Sequence, residues 1–389
     1  MYKGFKAKIY PNKEQQKLMF QFFGASRFAY NWVISVEEEN YANGGDFLNK
    51  SQIQKLWKEK KKEFPWVKEM SGRAMRGGIY SALEAYDRFF KGVSSHPKFK
   101  SRKNSRMSCR THECNTLIEK NRIKFEKIGW VRCRNNIPCA WSKTKAGSRS
   151  NVILNNPTIS YDGVDFWFSV SLDVGDTKFE TNKEKTEPIG IDLGIKQLAT
   201  DSVYVDCHKP NISKEKKKLK RLQRRANRYY LKRTEESKRT KTKLSKIPKT
   251  KNLIKLERKI NKVYIRIKNK LDTNIHQYTT GLVKRNPQAI VIEDLNIKGM
   301  MKNKHLAEKV AEAKFYEVRK QLEYKCRNND IDLIVADRWY ASSKICSYCG
   351  CKKHKLSLSE RTYVCKECGY TEDRDRNASF NLRNLAYNR

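Results

Sequence analysis

Two CxxC pairs, Cys346-Ser-Tyr-Cys349 and Cys365-Lys-Glu-Cys368, constrain this 389-residue chain more than any other feature of its sequence. Each short turn aims two thiolates at one metal ion, and the fifteen residues between Cys349 and Cys365 suit a hairpin that brings the two halves together. Four sulfur ligands close a tetrahedron, so one structural Zn²⁺ on Cys346, Cys349, Cys365 and Cys368 is expected, with no open position for chemistry. Neither pair sits at the strand-to-helix junction of a thioredoxin-like unit, which argues against a redox role. Cys351 and His354 stand nearby but complete no further pair. Cys109, Cys114, Cys133, Cys139, Cys207 and Cys326 show no paired spacing either and read as ordinary thiols of a reducing compartment.

Charge points to the partner. Lys and Arg number 84 against 42 Asp and Glu, a formal net charge of +42 spread along most of the chain. Like charges so crowded repel one another in a compact protein, and a polyanion relieves the repulsion while releasing counterions. Nucleic acid is therefore the expected partner. A content of 38% hydrophobic and 11% aromatic residues describes globular domains rather than a disordered basic tail. The length allows two or three domains, each with its own core. The first ten residues lack the apolar heart of a signal peptide, and no run approaches the ~20 apolar residues of a membrane span. The expectation is an intracellular protein with no membrane partner, cytoplasmic and nucleoid-associated in a bacterial host, and monomeric or weakly dimeric.

Residues 3–10 alternate polar and apolar as a strand does, and Pro11-Asn12-Lys13-Glu14 reads as a helix start. Leu18, Met19, Phe22, Phe23, Phe28, Trp32 and Val33 give the following helix an apolar stripe, and helical stretches run to about Phe90. His96-Pro-Lys-Phe-Lys-Ser-Arg102 ends that pattern. From there to Asp173, short β segments separated by Asn, Gly and Pro suggest a small barrel. Residues 175–188 read as a linker. Ile189-Gly-Ile-Asp-Leu-Gly194 opens the next domain as a buried strand, with antiparallel strands expected at 197–200 and 203–206. Residues 214–270 then carry 25 Lys or Arg against four acids, on two helical stretches parted by Lys246-Ile-Pro248-Lys. Ala289-Ile-Val-Ile-Glu-Asp294 is a second buried strand, Ala311, Phe315, Val318, Leu322 and Cys326 mark one helix, and 331–337 is another strand.

Seven residues beyond Cys368 stands Asp375, at the start of a helix whose dipole favours an anion. Asp192 and Glu293 each end a strand. Carboxylates contributed by separate elements are what two-metal phosphodiester cleavage requires, with two Mg²⁺ ~4 Å apart activating water and stabilising the leaving oxygen. Grouped in this way the acids repel one another unless metal is bound. Singly, each has an ordinary explanation as a turn residue, a strand cap or an N-cap. Asp294 and Asp373 compete as neighbours, and strand alternation alone leaves open whether Glu293 or Asp294 faces the site.

These residues carry a resemblance. Pro188-Ile-Gly-Ile-Asp192-Leu-Gly, Val291-Ile-Glu293-Asp-Leu-Asn-Ile-Lys-Gly-Met and Asp373-Arg-Asp375-Arg-Asn-Ala resemble the RuvC-type nuclease motifs of the TnpB family, transposon-encoded RNA-guided nucleases related to type V CRISPR effectors. So do the cysteine pairs within Ser342-Ser-Lys-Ile-Cys346-Ser-Tyr-Cys349-Gly and Tyr363-Val-Cys365-Lys-Glu-Cys368-Gly. Ile9-Tyr-Pro-Asn-Lys-Glu-Gln and Phe23-Gly-Ala-Ser-Arg-Phe-Ala-Tyr-Asn-Trp are similar to that family's opening helices, so the likeness spans nearly the whole chain. The departures are Ala341, where Pro is common, and Arg376 inside the last motif. Neither replaces a ligand.

The resemblance implies a multidomain α/β protein: an RNase H-like (RuvC) domain with a zinc-ribbon insert, plus a small wedge-like β-barrel with an inserted helical domain. The expected boundaries are 1–10 and 96–185 for the barrel, 11–95 for the helical recognition domain, 186–340 and 370–389 for the nuclease domain with its basic hairpin at 213–285, and 341–369 for the ribbon. It implies Asp192, Glu293 and Asp375 as the Mg²⁺-binding catalytic triad, with Asp294 and Asp373 in support. It further implies a guide RNA from the element end, a double-stranded DNA target beside a short flanking motif, and cutting of both strands at one site, a division of labour paralleling guided recognition elsewhere. Arg221, Arg224, Arg225 and Arg228 on the basic helices are candidates to line an RNA or heteroduplex channel, where Tyr229 and Tyr230 read more readily as core than as stacking groups. Arg73, Arg76, Tyr80, Lys98, Lys100 and Arg102 are candidate nucleic-acid contacts near the helical-to-barrel junction. The rivals are a nuclease-inactive RNA-guided repressor and a strand-transferring transposase.

Overall fold

The structure, a computed structural model, describes residues 2–102, 106–111, 116–119, 121–134, 154–173, 184–244, 246–357 and 359–387. They fall into two compact units, Met1–Thr177 and Lys178–Arg389. Most of the expected linker lies outside the described residues, as do Cys114 and Cys139.

In the first unit, β1 (Tyr2–Tyr10) leads into α1 (Lys13–Ala42) through a reciprocal cap. The Asn12 side chain accepts from the Gln15 N–H at 2.8 Å and the Gln15 side chain from the Asn12 N–H at 3.0 Å, satisfying two amides the helix leaves unpaired. Helix α2 (Lys50–Lys60) repeats the device with Asn49 and Gln52, and α3 (Gly72–Phe90) follows. Helix α3 lies so close on α1 that a Cβ at Gly78 would overlap the Ser26 carbonyl oxygen. The shared core takes Met19, Phe22, Phe23, Ala29 and Val33 from α1 and Ala74, Met75, Ile79 and Ala82 from α3. That is the expected stripe, with Phe28 and Trp32 at its margin against Trp57.

Six further strands join β1: β2 (Met107–Arg110), β3 (Leu117–Glu119), β4 (Arg122–Phe125), β5 (Gly129–Cys133), β6 (Leu154–Tyr161) and β7 (Phe166–Asp173). They form one antiparallel sheet in the order β2-β6-β7-β1-β5-β4-β3. The described pairing does not join its edge strands β2 and β3 to each other.

The second unit is built on a four-stranded sheet of order β11-β10-β8-β9, from β8 (Ile189–Leu193), β9 (Ala199–Asp201), β10 (Ala289–Glu293) and β11 (Asp332–Ala336). Strands β8, β10 and β11 run parallel, whereas β9 is antiparallel to β8. Buried on both faces, the parallel strands read as continuous apolar runs. Ile189, Ile191, Ile290 and Ile292 face one layer, formed by Ile275, Tyr278 and Leu282 of α5 (Lys251–Lys284) and Val318 and Leu322 of α8 (Phe315–Asn328). Ala289, Val291, Ile334 and Ala336 face the other, against Leu382 of α9 (Arg374–Asn384).

Helix α4 (Ser213–Arg239) pairs with the first half of α5 through Leu222, Ala226, Leu253, Leu256 and Val263, making the expected basic hairpin. Two short helices, α6 (Ile297–Lys302) and α7 (Ala307–Ala313), precede α8. One helix was expected across Ala311 to Cys326, and the structure has two. Ala313 and Phe315 are both buried, yet residues two apart face nearly opposite sides of a continuous helix, so Lys314 breaks it in the left-handed region at φ 50°. A second difference concerns 203–206, which is a turn rather than a strand. The Asp201 carboxylate gathers it, accepting from the Val203 N–H at 3.1 Å and the Val205 N–H at 2.9 Å.

Helix α9 reaches the sheet at Gly190. A Cβ there would fall inside the van der Waals envelope of the Ser379 carbonyl oxygen and the Arg383 backbone nitrogen, both on α9. Backbone cannot rotate out of the way as a flexible side chain can. We expect Gly190→Ala to lift α9 from β8 and destabilise the unit by about 3 kcal/mol, at the upper end for an overpacked core. That lowers the melting temperature by roughly 6–12 °C in a unit of this size. An unchanged thermal melt would contradict the close approach.

Candidate active site

Strand register decides which acids meet. β8 and β10 pair with Ile290 opposite Ile189, Val291 opposite Gly190 and Ile292 opposite Ile191, so the next step brings Glu293 beside Asp192. Partners in register point to the same side, and Asp192 lies two residues from Gly190, on the face that α9 covers. Asp192 is the penultimate residue of β8 and Glu293 the last of β10, both half-buried. Burial pushes the Asp192 carboxyl well above the usual carboxylate range, and the facing charge of Glu293, a hydrogen bond between the two and the charge of Asp375 push the same way. Glu293 is raised as well, again chiefly by burial, while Asp192 and Ser342 hydrogen-bond its charged form. The Ser342 hydroxyl donates to Glu293 Oε1 at 2.9 Å.

Asp294 faces elsewhere, held by Arg319 at 3.0 Å and by Arg338. The choice that alternation leaves open thus falls, in this geometry, on Glu293.

Asp375 arrives on the first turn of α9. Asp373 caps the helix, its Oδ1 accepting from the Asp375 N–H at 2.9 Å and the Arg376 N–H at 3.1 Å. The Asp375 carboxylate meets the Arg374 guanidinium at 3.1 Å and Arg361 at 3.8 Å. Turned toward these cations, it does not close with Asp192 and Glu293 into the tight cluster that the four cysteines form. Arg376, the departure noted in the last motif, is a brace. It pairs with Asp206 at 2.6 Å, donates to the Asp201 carbonyl and lies 4.2 Å over the Tyr204 ring. The acids offer only hard oxygen donors, the set that Mg²⁺ takes, and three like charges converging on one edge need a cation to be ionised together.

The four cysteines do form a site. Their sulfurs all lie within 4.8 Å of one another, with Cys346 Sγ to Cys368 Sγ at 3.7 Å and Cys349 Sγ to Cys365 Sγ at 3.6 Å. A tetrahedron with metal–sulfur bonds of ~2.3 Å has edges of ~3.8 Å, so the cage fits zinc. Gly350 and Gly369, at φ 75° and 72°, close the two turns, each donating back to the first cysteine's carbonyl. The Cys368 backbone N–H is the chief cause that draws the Cys365 thiol down to about 6, while the crowded sulfurs raise Cys349 and push Cys368 up to about 12, so all four shed their protons together only to a metal. The hairpin β12 (Thr362–Val364) and β13 (Thr371–Asp373) carries the second pair into α9. Asn377 and Asn381, buried one turn apart on α9, bond the ribbon: Asn377 Nδ2 donates to the Ile345 carbonyl at 2.7 Å and Asn381 Nδ2 to the Ser342 carbonyl at 2.7 Å. Sequence reasoning passed over both, although Asn repeated at i, i+4 beside the last acid was a readable signal.

The basic candidates fall in several settings. Arg221, Arg224, Arg225 and Arg228 are exposed on α4, and among the described residues none has a carboxylate partner. Tyr229 packs into the hairpin and Tyr230 bonds Glu257 at 2.5 Å, so these two are structural. In the first unit, Arg76 and Lys98 are exposed, and Arg73 is half-buried. Tyr80 is engaged by Lys50, 4.2 Å over its ring, and Lys100 lies 3.3 Å over the Tyr30 ring. Arg102 lines one cleft with Arg106 and another with Arg27, both overlooked in the sequence. Burial, and then the facing charge of Arg102, lower Arg27, so two guanidinium groups converge there.

Family models match as "Helix-turn-helix domain" over residues 1–46, "Probable transposase" over 169–304 and "Cas12f1-like, TNB domain" over 315–382. The chain is 31% identical over 387 residues to a "Putative RNA-guided DNA endonuclease" of Streptomyces pristinaespiralis, covering 98% of this chain and 88% of that one. It is 26% identical to the "Putative RNA-guided DNA endonuclease InsQ" of Escherichia coli (strain K12), covering 97% and 90%. A "TnpB-like protein L770" of Acanthamoeba polyphaga mimivirus is 24% identical, covering 97% and 72%. A solved Cas12f1–sgRNA–target DNA complex aligns over 99% of this chain and 100% of that one, at 14% identity and a TM-score of 0.34. No described helix is long and apolar enough to cross a membrane.

Two outcomes follow from the site's geometry. Because both carboxyls titrate above their ordinary values, the folded protein keeps protons that the unfolded chain has released. Their contribution to stability is complete below the ordinary carboxylate range and is lost as pH rises through the raised values. Without divalent ions, Asp192→Asn should therefore melt about 2–4 °C above wild type at neutral pH, with the gap closing toward pH ~4. A variant that melts lower at neutral pH would contradict the crowded pair. Cys346→Ser should reduce bound zinc from about one equivalent to near none by elemental analysis, and proteolysis should then cut the ribbon before the remainder of the unit.

Proposed function

This chain belongs to the TnpB family of RNA-guided DNA endonucleases, and we propose that it is an active one, cutting DNA at Asp192, Glu293 and Asp375 in the presence of Mg²⁺. The observation that carries the reading is the β8–β10 register, which sets two carboxylates side by side at the ends of parallel strands, under the helix that brings the third. Structural reasons alone do not account for them. A buried pair of like acids weakens the fold unless a cation neutralises it.

Bound divalent cations would activate water and stabilise the leaving oxygen. Around them the chain's own groups have distinct tasks. Asp192 and Glu293 release the proton their pairing retains, and Ser342 holds Glu293 in orientation. Arg374 and Arg361 balance the charge of Asp375. Asp294, locked between Arg319 and Arg338, stiffens the end of β10. The relatives' names supply the substrates: a guide RNA and a DNA target. The exposed arginines of α4 suit an RNA or heteroduplex backbone, and the clefts that Arg102 lines with Arg27 and with Arg106 suit DNA beside the target.

Purified protein assembled with its guide RNA should cleave a matched duplex in Mg²⁺, and Asp192→Ala should lower that rate on the order of 10⁴-fold. A wild type that binds the target uncut would favour the repressor, and RNA-independent strand joining the transposase. Replacing Arg221, Arg224, Arg225 and Arg228 by Gln should flatten the slope of log affinity for RNA against log salt by about 3. An unchanged slope would place the RNA elsewhere.

A further inference from the structure

Trp339 is 86% exposed, the most exposed of the large apolar side chains described. Loose surface loops expose aromatics by chance, but this turn is fixed on both sides. The Asp337 carboxylate accepts from the Trp339 N–H at 2.8 Å, and the Tyr340 N–H donates to the Asp337 carbonyl at 3.0 Å. Tyr340 turns inward to the core shared by β10, β11 and α9, its hydroxyl donating to the Asn381 carbonyl at 3.3 Å. Arg338 grips Asp294, and Ser342 grips Glu293 at 2.9 Å. The segment is thus tied to two consecutive residues at the end of β10 while the indole between the ties is held out in solvent. Three residues span at most ~11 Å, so the Trp339 backbone stands within that distance of Ser342, whose hydroxyl bonds Glu293. Its immediate neighbour is an arginine, and the chain carries a net charge of +42.

We propose that Trp339 is the stacking platform for an unpaired nucleobase of the strand being cut, holding that strand so that its phosphate reaches Asp192, Glu293 and Asp375. An indole face accepts any base, which suits a nuclease whose sequence choice resides elsewhere. The inference rests on the reading of the acids as a nuclease site. Trp339 acts as a positioning residue: it touches the substrate base while the acids act on the phosphate.

The test uses full-length protein with its guide RNA and two probes in Ca²⁺, a single-stranded oligodeoxyadenylate and the same oligomer made abasic. Wild type should bind the base-bearing oligomer with quenching of tryptophan fluorescence. Trp339→Leu should bind it about tenfold more weakly, leave abasic affinity unchanged, and retain the wild-type melt because the ring is exposed. Trp339→Phe should recover most of the loss. Equal binding of both oligomers by wild type and Trp339→Leu, or no binding by wild type, overturns the proposal. Wild type that stacks the oligomer but never cuts an RNA-matched duplex in Mg²⁺ overturns the nuclease reading instead.

Discussion

The contact between a helix and a strand at one glycine sets the geometry of the second unit. Because Gly190 has no side chain, α9 lies with its backbone directly on β8, and everything that α9 carries is placed by that contact. Leu382 completes the core beneath it, Asp375 comes to the edge where β8 and β10 end, and Asn377 and Asn381 reach the cysteine turns. A larger residue at 190 would displace all of these together. Packing density makes such an arrangement two-valued, docked or undocked, rather than adjustable.

Against this rigid frame stands an electrostatic conflict that the fold does not relieve by itself. Asp192 and Glu293 are forced together by register, and burial strengthens their repulsion. Elsewhere in the unit, comparable acids are matched: Asp206 with Arg376, Asp272 with Lys268 and Lys314, Asp294 with two arginines. In a chain with twice as many cations as acids, the charge of Arg374, which pairs with Asp375, offsets only part of the burden on Asp192, whose carboxyl stays raised. Active sites are where such imbalance is retained, because the missing charge is the ligand's.

Much of this was legible in the sequence, and for local reasons. The cysteine spacing specified the sulfur cage, Pro11-Asn12-Lys13-Glu14 specified the start of α1, and the apolar runs specified β8, β10 and β11. What failed depended on contacts that only folding creates. Nothing in Glu293-Asp294 tells which residue faces inward, because the answer is the pairing with β8. The turn at 203–206 has strand-like composition but is gathered around the Asp201 carboxylate. The break at Lys314 follows from burying residues on either side of it. Among the basic residues, charge alone could not separate exposed Arg224 from Arg233, which is buried and bonded to the Leu244 and Ile247 carbonyls.

The asparagines of α9 give the ribbon a reach beyond its own hairpin. Since Asn377 and Asn381 bond carbonyls at the root of the first cysteine turn, the free energy of filling the sulfur cage and the free energy of seating α9 are linked quantities. On the nuclease reading, zinc occupancy and catalytic competence would then rise and fall together. Oxidation of one thiol would then loosen the seat of the helix that carries Asp375.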